Sequence, residues 1–172
     1  QVKLLQALAK KAPPSAHITV PDAQPKDIVK HAINVAQLDE EQTPFGVIVQ
    51  ADKTEAVLLT YYQNNSLHVF ALASLLARFV KFSKMTQTRQ LISHSEVLQP
   101  FLEAELMWSW NEDIGSVVQH HIEVMTELGV FAREDDIIKI PPPTSDASAH
   151  LTDLAEVIEP MLERFHTEFV DV

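Results

Sequence analysis

The chain contains no cysteine. It therefore forms no disulfide and offers no thiolate to a metal or to nucleophilic catalysis, a composition that fits a reducing compartment. Glycine is almost as scarce: Gly46, Gly115 and Gly129 are too scattered for a loop that cradles phosphate. No run of about 18 uncharged apolar residues occurs, the length a membrane-crossing helix needs, and no secretory signal pattern opens the chain. Positive charge is missing from one half. Residues 103–172 hold 3 Lys and Arg against 16 Asp and Glu. That half repels nucleic acid and anionic lipid headgroups. Residues 1–102 hold 10 against 8, so an anionic partner is expected to meet the first half. What remains is apolar: 46% of the residues are hydrophobic and the mean hydropathy is −0.01. These values describe a globular domain with a sizeable core rather than a disordered chain.

Periodicity and punctuation predict a mainly α domain (α+β class) with two small β-hairpins. Val2–Lys11 reads as a short amphipathic helix stopped by Pro13-Pro14. Pro25 suits the first turn of a second helix over Lys26–Val35. Phe45–Gln50 and Glu55–Tyr61 read as strands joined by a turn at Ala51-Asp52-Lys53-Thr54. Ser66–Phe82 has helical length, and further helices are expected over Ser95–Trp108 and Asp113–Leu128. Polar residues from Thr86 to Ser93 look like a connector, and Gly129 suits the end of the last of these helices. A second hairpin is expected around Arg133-Glu134-Asp135-Asp136, closed by Pro141-Pro142-Pro143. Leu151–Val170 reads as a final helix that Pro160 kinks or splits. The order helix, helix, hairpin over residues 95–140 is winged-helix-like. Acids at the presumed wing and on the second helix argue against phosphate contacts there, so no nucleic-acid partner is expected.

Few side chains are arranged for chemistry. His120, His121 and Glu123 share one helical turn, and His120 and Glu123 stand three apart. No third and fourth ligand follow at regular spacing, so this reads as a solvated helix face. Neither a metal nor a cofactor is expected. Arg78, Lys81, Lys84 and Arg89 form a basic run without an acid at the end of an apolar helix. Two readings stand: cations solvating the end of a core helix, or a surface for anionic lipid or an acidic acyl carrier protein. The crowd of polar and aromatic groups at Tyr61, Tyr62, Asn64, Asn65 and His68 also has two readings. It is a strand-to-helix junction with an Asn cap and half-buried tyrosines, or a surface that docks on another domain.

Thr60-Tyr61-Tyr62-Gln63-Asn64-Asn65, with His68, resembles the T-Y-Y-R-N-N-x-x-H block of bacterial PlsB-type sn-glycerol-3-phosphate acyltransferases. That block lies after their catalytic domain. Further blocks agree in order: Pro13-Pro14-Ser15, Val20-Pro21 and Phe45-Gly46-Val47-Ile48 upstream. Downstream stand Pro100-Phe101-Leu102-Glu103-Ala104-Glu105-Leu106, Trp110, Asp113 and Glu127-Leu128-Gly129-Val130. Gln63 departs from the block, which carries Arg. The resemblance implies a parent enzyme that transfers an acyl group from acyl-CoA or acyl carrier protein to the 1-hydroxyl of glycerol 3-phosphate. That step opens phospholipid synthesis at the cytoplasmic face of the bacterial inner membrane. The family's catalytic N-H-x4-D motif is matched only in outline by His17–Asp22, where Ala16 replaces Asn, and no E-G-x-R-S block follows. Residues 1–172 are therefore expected to be a catalytically inert accessory domain, cut from a longer protein and partnered by its catalytic domain. From another class, a winged-helix-type protein-interaction module is the alternative.

Overall fold

Two residues at the start of the longest element decide much of the architecture. Asp52 accepts a hydrogen bond from the backbone N–H of Glu55, and the Glu55 carboxylate accepts one from the N–H of Asp52, both at 2.8 Å. This reciprocal cap satisfies two donors that a helix start leaves open. It launches a helix over Lys53–Phe82, 30 residues and about 45 Å long. The computed structural model describes residues 1–12, 18–106 and 112–163. In chain order its elements are α1 (Val2–Lys10), α2 (Pro25–Val35), β1 (Asp39–Thr43), β2 (Gly46–Gln50) and α3 (Lys53–Phe82). They continue with α4 (Thr88–Leu106), α5 (Ile114–Glu127), β3 (Ala132–Glu134), β4 (Ile137–Lys139) and α6 (Asp146–Glu156). The fold is mainly helical with two small antiparallel two-stranded sheets.

The strand expected over Glu55–Tyr61 is instead the first third of α3. The Asp52-Lys53-Thr54-Glu55 capping box makes helix the cheaper local state, and few of the residues after it are β-branched. The first hairpin exists, but β2 pairs with β1 upstream of it, from Thr43 opposite Gly46 to Asp39 opposite Gln50. Helix α4 begins at Thr88, inside the stretch expected to be a connector. The second hairpin forms as expected, with Ala132 opposite Lys139. Residues at the start of α4 join it: Gln87 bridges Ile137, and the N–H of Thr88 donates to Asp136 O at 2.9 Å. So α4, α5 and β3–β4 follow the helix, helix, hairpin order expected over residues 95–140. Gly129 adopts φ +70° just past α5, where the N–H of Val130 donates to Met125 O at 2.9 Å and closes the helix.

The last helix splits, as Pro160 implies. Turn residues 157–158 separate α6 from helical residues 159–163. Proline lacks an N–H and its ring crowds the carbonyl four residues back, which kinks or breaks a helix; α4 runs on through Pro100, whereas here the helix breaks. Ser74 of α3 repairs the break. Its hydroxyl donates to Leu154 O at 2.6 Å and accepts from the N–H of Ile158 at 3.0 Å.

The core is gathered by the second half of α3. Leu72, Leu76 and Val80 pack with Leu91, Val117, Val118, Ile122, Met125, Ile138, Leu154, Ile158 and Met161. Leu4 and Leu8 of α1 complete it. Between Leu8 and Leu67 no described residue belongs to this cluster. Among described residues 18–66 only Ala36 is buried, and it lies outside this cluster.

Candidate functional site

The first third of α3 presents an apolar surface to solvent. A helix turns 100° per residue, so Val57, Leu58 and Leu59 in succession cannot all face one core. Val57 is 71% exposed, and Leu58 and Leu59 are also exposed. Tyr61 is 61% and Tyr62 51% exposed, with their rings 5.9 Å apart at 62°. The hairpin just before α3 adds Phe45 at the turn, fully exposed, and Val47, Ile48 and Val49 along β2. Val29 and Val35 of α2 are exposed as well. Scattered exposed apolar residues are ordinary in proteins, and Phe82, Val97, Phe101, Ile137 and Ile140 are exposed elsewhere, but the residues named here all fall within positions 29–62.

The sequence singled out part of this surface, but its local structure differs from the junction considered above. Tyr61, Tyr62, Asn64 and Asn65 lie inside α3, not at a strand-to-helix boundary. The cap is Asp52 rather than an Asn, and the tyrosines are exposed rather than half-buried. Nearby hydroxyls turn back onto the helix: Thr60 Oγ1 donates to Ala56 O at 2.8 Å, and Ser66 Oγ to Tyr62 O at 3.1 Å. Asn64, Asn65 and His68 share a cleft of about 330 Å³ with Leu67, Glu105, Leu106 and Met161. The two tyrosines do not line it. Phe45 and β2 were missed because their apolar residues read as strand and therefore as core. Val57 to Leu59 could have been found from three consecutive apolar residues on a capped helix.

The basic run sits at the far end of α3, and it is not free of acids in space. Arg78 pairs with Glu159 at 3.4 Å, and Arg89 Nε lies 3.8 Å from Asp136. The Arg78 guanidinium carbon stands 5.0 Å, and Lys81 Nζ 4.7 Å, from the ring centre of exposed Phe82. Lys84 is exposed with φ +51°, the left-handed position that ends α3. The structure thus gathers Arg78 and Lys81 around Phe82 and commits Arg89 to the β3–β4 turn.

The histidine turn on α5 is not simply a solvated face. His120 Nε2 is 2.8 Å from Lys11 O and joins α5 to the end of α1. His121 is partly buried with Nδ1 2.8 Å from Val117 O. Burial pushes its pKa down from 6.5 to about 4, against the raising effect of that hydrogen bond. Lys11 also pairs with Glu127, whose carboxyl it holds below its ordinary range. Among the described residues, no three His, Asp or Glu are placed to hold a metal ion. No described helix is long and apolar enough to cross a membrane. His17 and Trp110 lie outside the described residues.

Known proteins resemble this chain along nearly its whole length. Residues 1–169 match the family model described as the glycerol-3-phosphate acyltransferase C-terminal region. The glycerol-3-phosphate acyltransferase of Pseudomonas fluorescens strain SBW25 is 34% identical over 167 residues, 96% of this chain. Those of Pseudomonas entomophila and Ectopseudomonas mendocina are each 35% identical over 164 residues, 95% of this chain. The chain spans 20% of the length of each of these relatives. No solved structure matches it. With the family model spanning nearly every residue, the chain belongs to the family of glycerol-3-phosphate acyltransferase C-terminal regions.

Proposed function

We propose that this chain is a non-catalytic accessory domain of a larger glycerol-3-phosphate acyltransferase, one that seats on the catalytic part of the same protein. The parent enzyme transfers an acyl group from acyl-CoA or acyl carrier protein to glycerol 3-phosphate, the entry step of phospholipid synthesis. The observation that carries this reading is the division of the molecule. One half encloses the core, while α2, the β1–β2 hairpin and the first third of α3 leave their apolar residues outside. Covering a Val or Leu side chain is worth about 1.5–3 kcal/mol, so such a surface favours a partner that shields it. The matched relatives extend far beyond the region they share with this chain, which supports a partner within one polypeptide.

At the other end of α3, Lys81, Lys84 and Phe82 combine cations with an exposed aromatic. That combination suits anionic headgroups, and it supports peripheral binding at the cytoplasmic face of the inner membrane. The acidic surface of an acyl carrier protein would meet the same groups.

The test is acyl transfer by the full-length enzyme carrying Val57→Asp and Tyr61→Asp. These residues stand four apart on one helix face, and both are exposed. The domain itself should lose less than about 0.5 kcal/mol. Activity is expected to fall at least tenfold. Val97→Asp on α4, also highly exposed, is the control and should leave activity unchanged. Full activity in the double variant would overturn the reading.

A further inference from the structure

The β1–β2 hairpin has two edges of opposite character. The β1 edge carries Asp39, Glu40 and Glu41, and charge of this kind keeps other strands away. The β2 edge carries Val47, Ile48 and Val49, all exposed and without a charged neighbour on the strand. An isolated two-stranded ribbon is marginal in water, and a bare apolar edge is a template for another strand.

The register says which backbone groups are on offer. A two-residue turn at 44–45 closes the ladder, and Thr43 opposite Gly46 is the pair nearest to it. That pair exchanges hydrogen bonds, and the next pair faces outward, alternating along the ribbon. Val47 opposite Gln42 and Val49 opposite Glu40 are the outward pairs. Their N–H and C=O groups on β2 therefore point away from β1.

We infer that β2 takes a third strand from the part of the acyltransferase that precedes this region. This deepens the docking reading and rests on it. The occupant is chosen on three grounds. About four fifths of each matched relative lies outside this region, and the region is C-terminal. The bare edge leads within three residues into the exposed first third of α3, so one partner covers both. Neither outer edge is paired with another described strand, and only the β2 edge is free of charge, which favours that side of the ribbon.

The test is residue-resolved hydrogen exchange on the full-length protein. The amides of Val47 and Val49 are expected to exchange at least 100-fold slower than unprotected amides. Val49→Pro removes one outward N–H and leaves the β1–β2 ladder its own bonds. Protection of Val47 should then fall at least tenfold while α3 stays protected. Exchange of Val47 and Val49 at the unprotected rate would overturn strand addition. Hydroxyl-radical labelling of Tyr61 and Tyr62 in the same sample separates the two readings. If the tyrosines are shielded while the amides are free, docking stands and strand addition falls. If both are free, both readings fall. Protection that disappears on dilution to monomer would mean that a second copy supplies the strand, which also overturns the inference.

Discussion

Ser74 and Ser95 are both fully buried serines on helices, and they should respond oppositely to the same substitution. Ser74 Oγ bonds Leu154 O at 2.6 Å and the N–H of Ile158 at 3.0 Å, across the helix break. Leu154 O also receives the N–H of Val157 at 3.2 Å, so it keeps a partner when Ser74 is lost. Ile158 does not, and its buried N–H would be orphaned. An unsatisfied buried donor costs about 1–3 kcal/mol, so Ser74→Ala is expected to destabilise the domain by about 2 kcal/mol. Ser95 Oγ is buried with no partner among the described residues. Removing an unpaired hydroxyl ends a desolvation cost, so Ser95→Ala should be neutral or stabilise by up to about 1 kcal/mol. Urea unfolding followed by far-ultraviolet circular dichroism reads both. Because the volume removed is the same, the difference between them isolates the hydrogen bonds. Equal midpoints for the two variants would refute the role assigned to Ser74.

His121 titrates near pH 6.5 when unfolded and near 4 when folded, so the unfolded chain binds the proton first as pH falls. Its share of stability is complete above about pH 6.5 and is lost toward pH 4, at most about 3 kcal/mol. Between pH 7 and 5, wild type should lose about 2 kcal/mol more than His121→Gln, and parallel pH profiles would refute this. Gly129 holds φ +70° with open space where a Cβ would be. Gly129→Ala should therefore cost about 1 kcal/mol in unfolding free energy from backbone strain alone. Flotation with anionic vesicles should lose more than half its bound protein when Lys81 and Lys84 are both reversed to Glu. Arg89→Glu, at a site already committed to Asp136, should change flotation little, and equal effects would count against a lipid-facing end of α3.

Much of the fold was legible because its punctuation is local. Pro25 starts α2, Gly129 ends α5, and Pro160 splits the last helix. Each acts on backbone geometry within one turn, which makes its place readable, although Pro100 lies inside α4 without ending it. The first hairpin was misplaced because Val47 to Gln50 and Val57 to Tyr61 carry similar apolar content. The Asp52–Glu55 box that separates them into strand and helix is a hydrogen-bond pattern, not a hydrophobic one. The site was legible as lineage and not as geometry. The Tyr61-Tyr62-Gln63-Asn64-Asn65 block marked the right helix, yet exposure depends on what α3 packs against, which only the tertiary arrangement gives. The acids that meet Arg78 and Arg89 come from Glu159 and Asp136, 81 and 47 positions downstream. No reading along the chain brings such distant charges together.

The central claim is that the exposed first third of α3 faces another part of the same protein. Placing a photo-reactive phenylalanine at position 61 of the full-length enzyme tests it most directly, with the same probe at position 97 as control. Cross-linking from position 61 to residues preceding this region, with none from position 97, is the predicted result. No intramolecular cross-link from position 61, in enzyme that keeps its activity, would contradict the account.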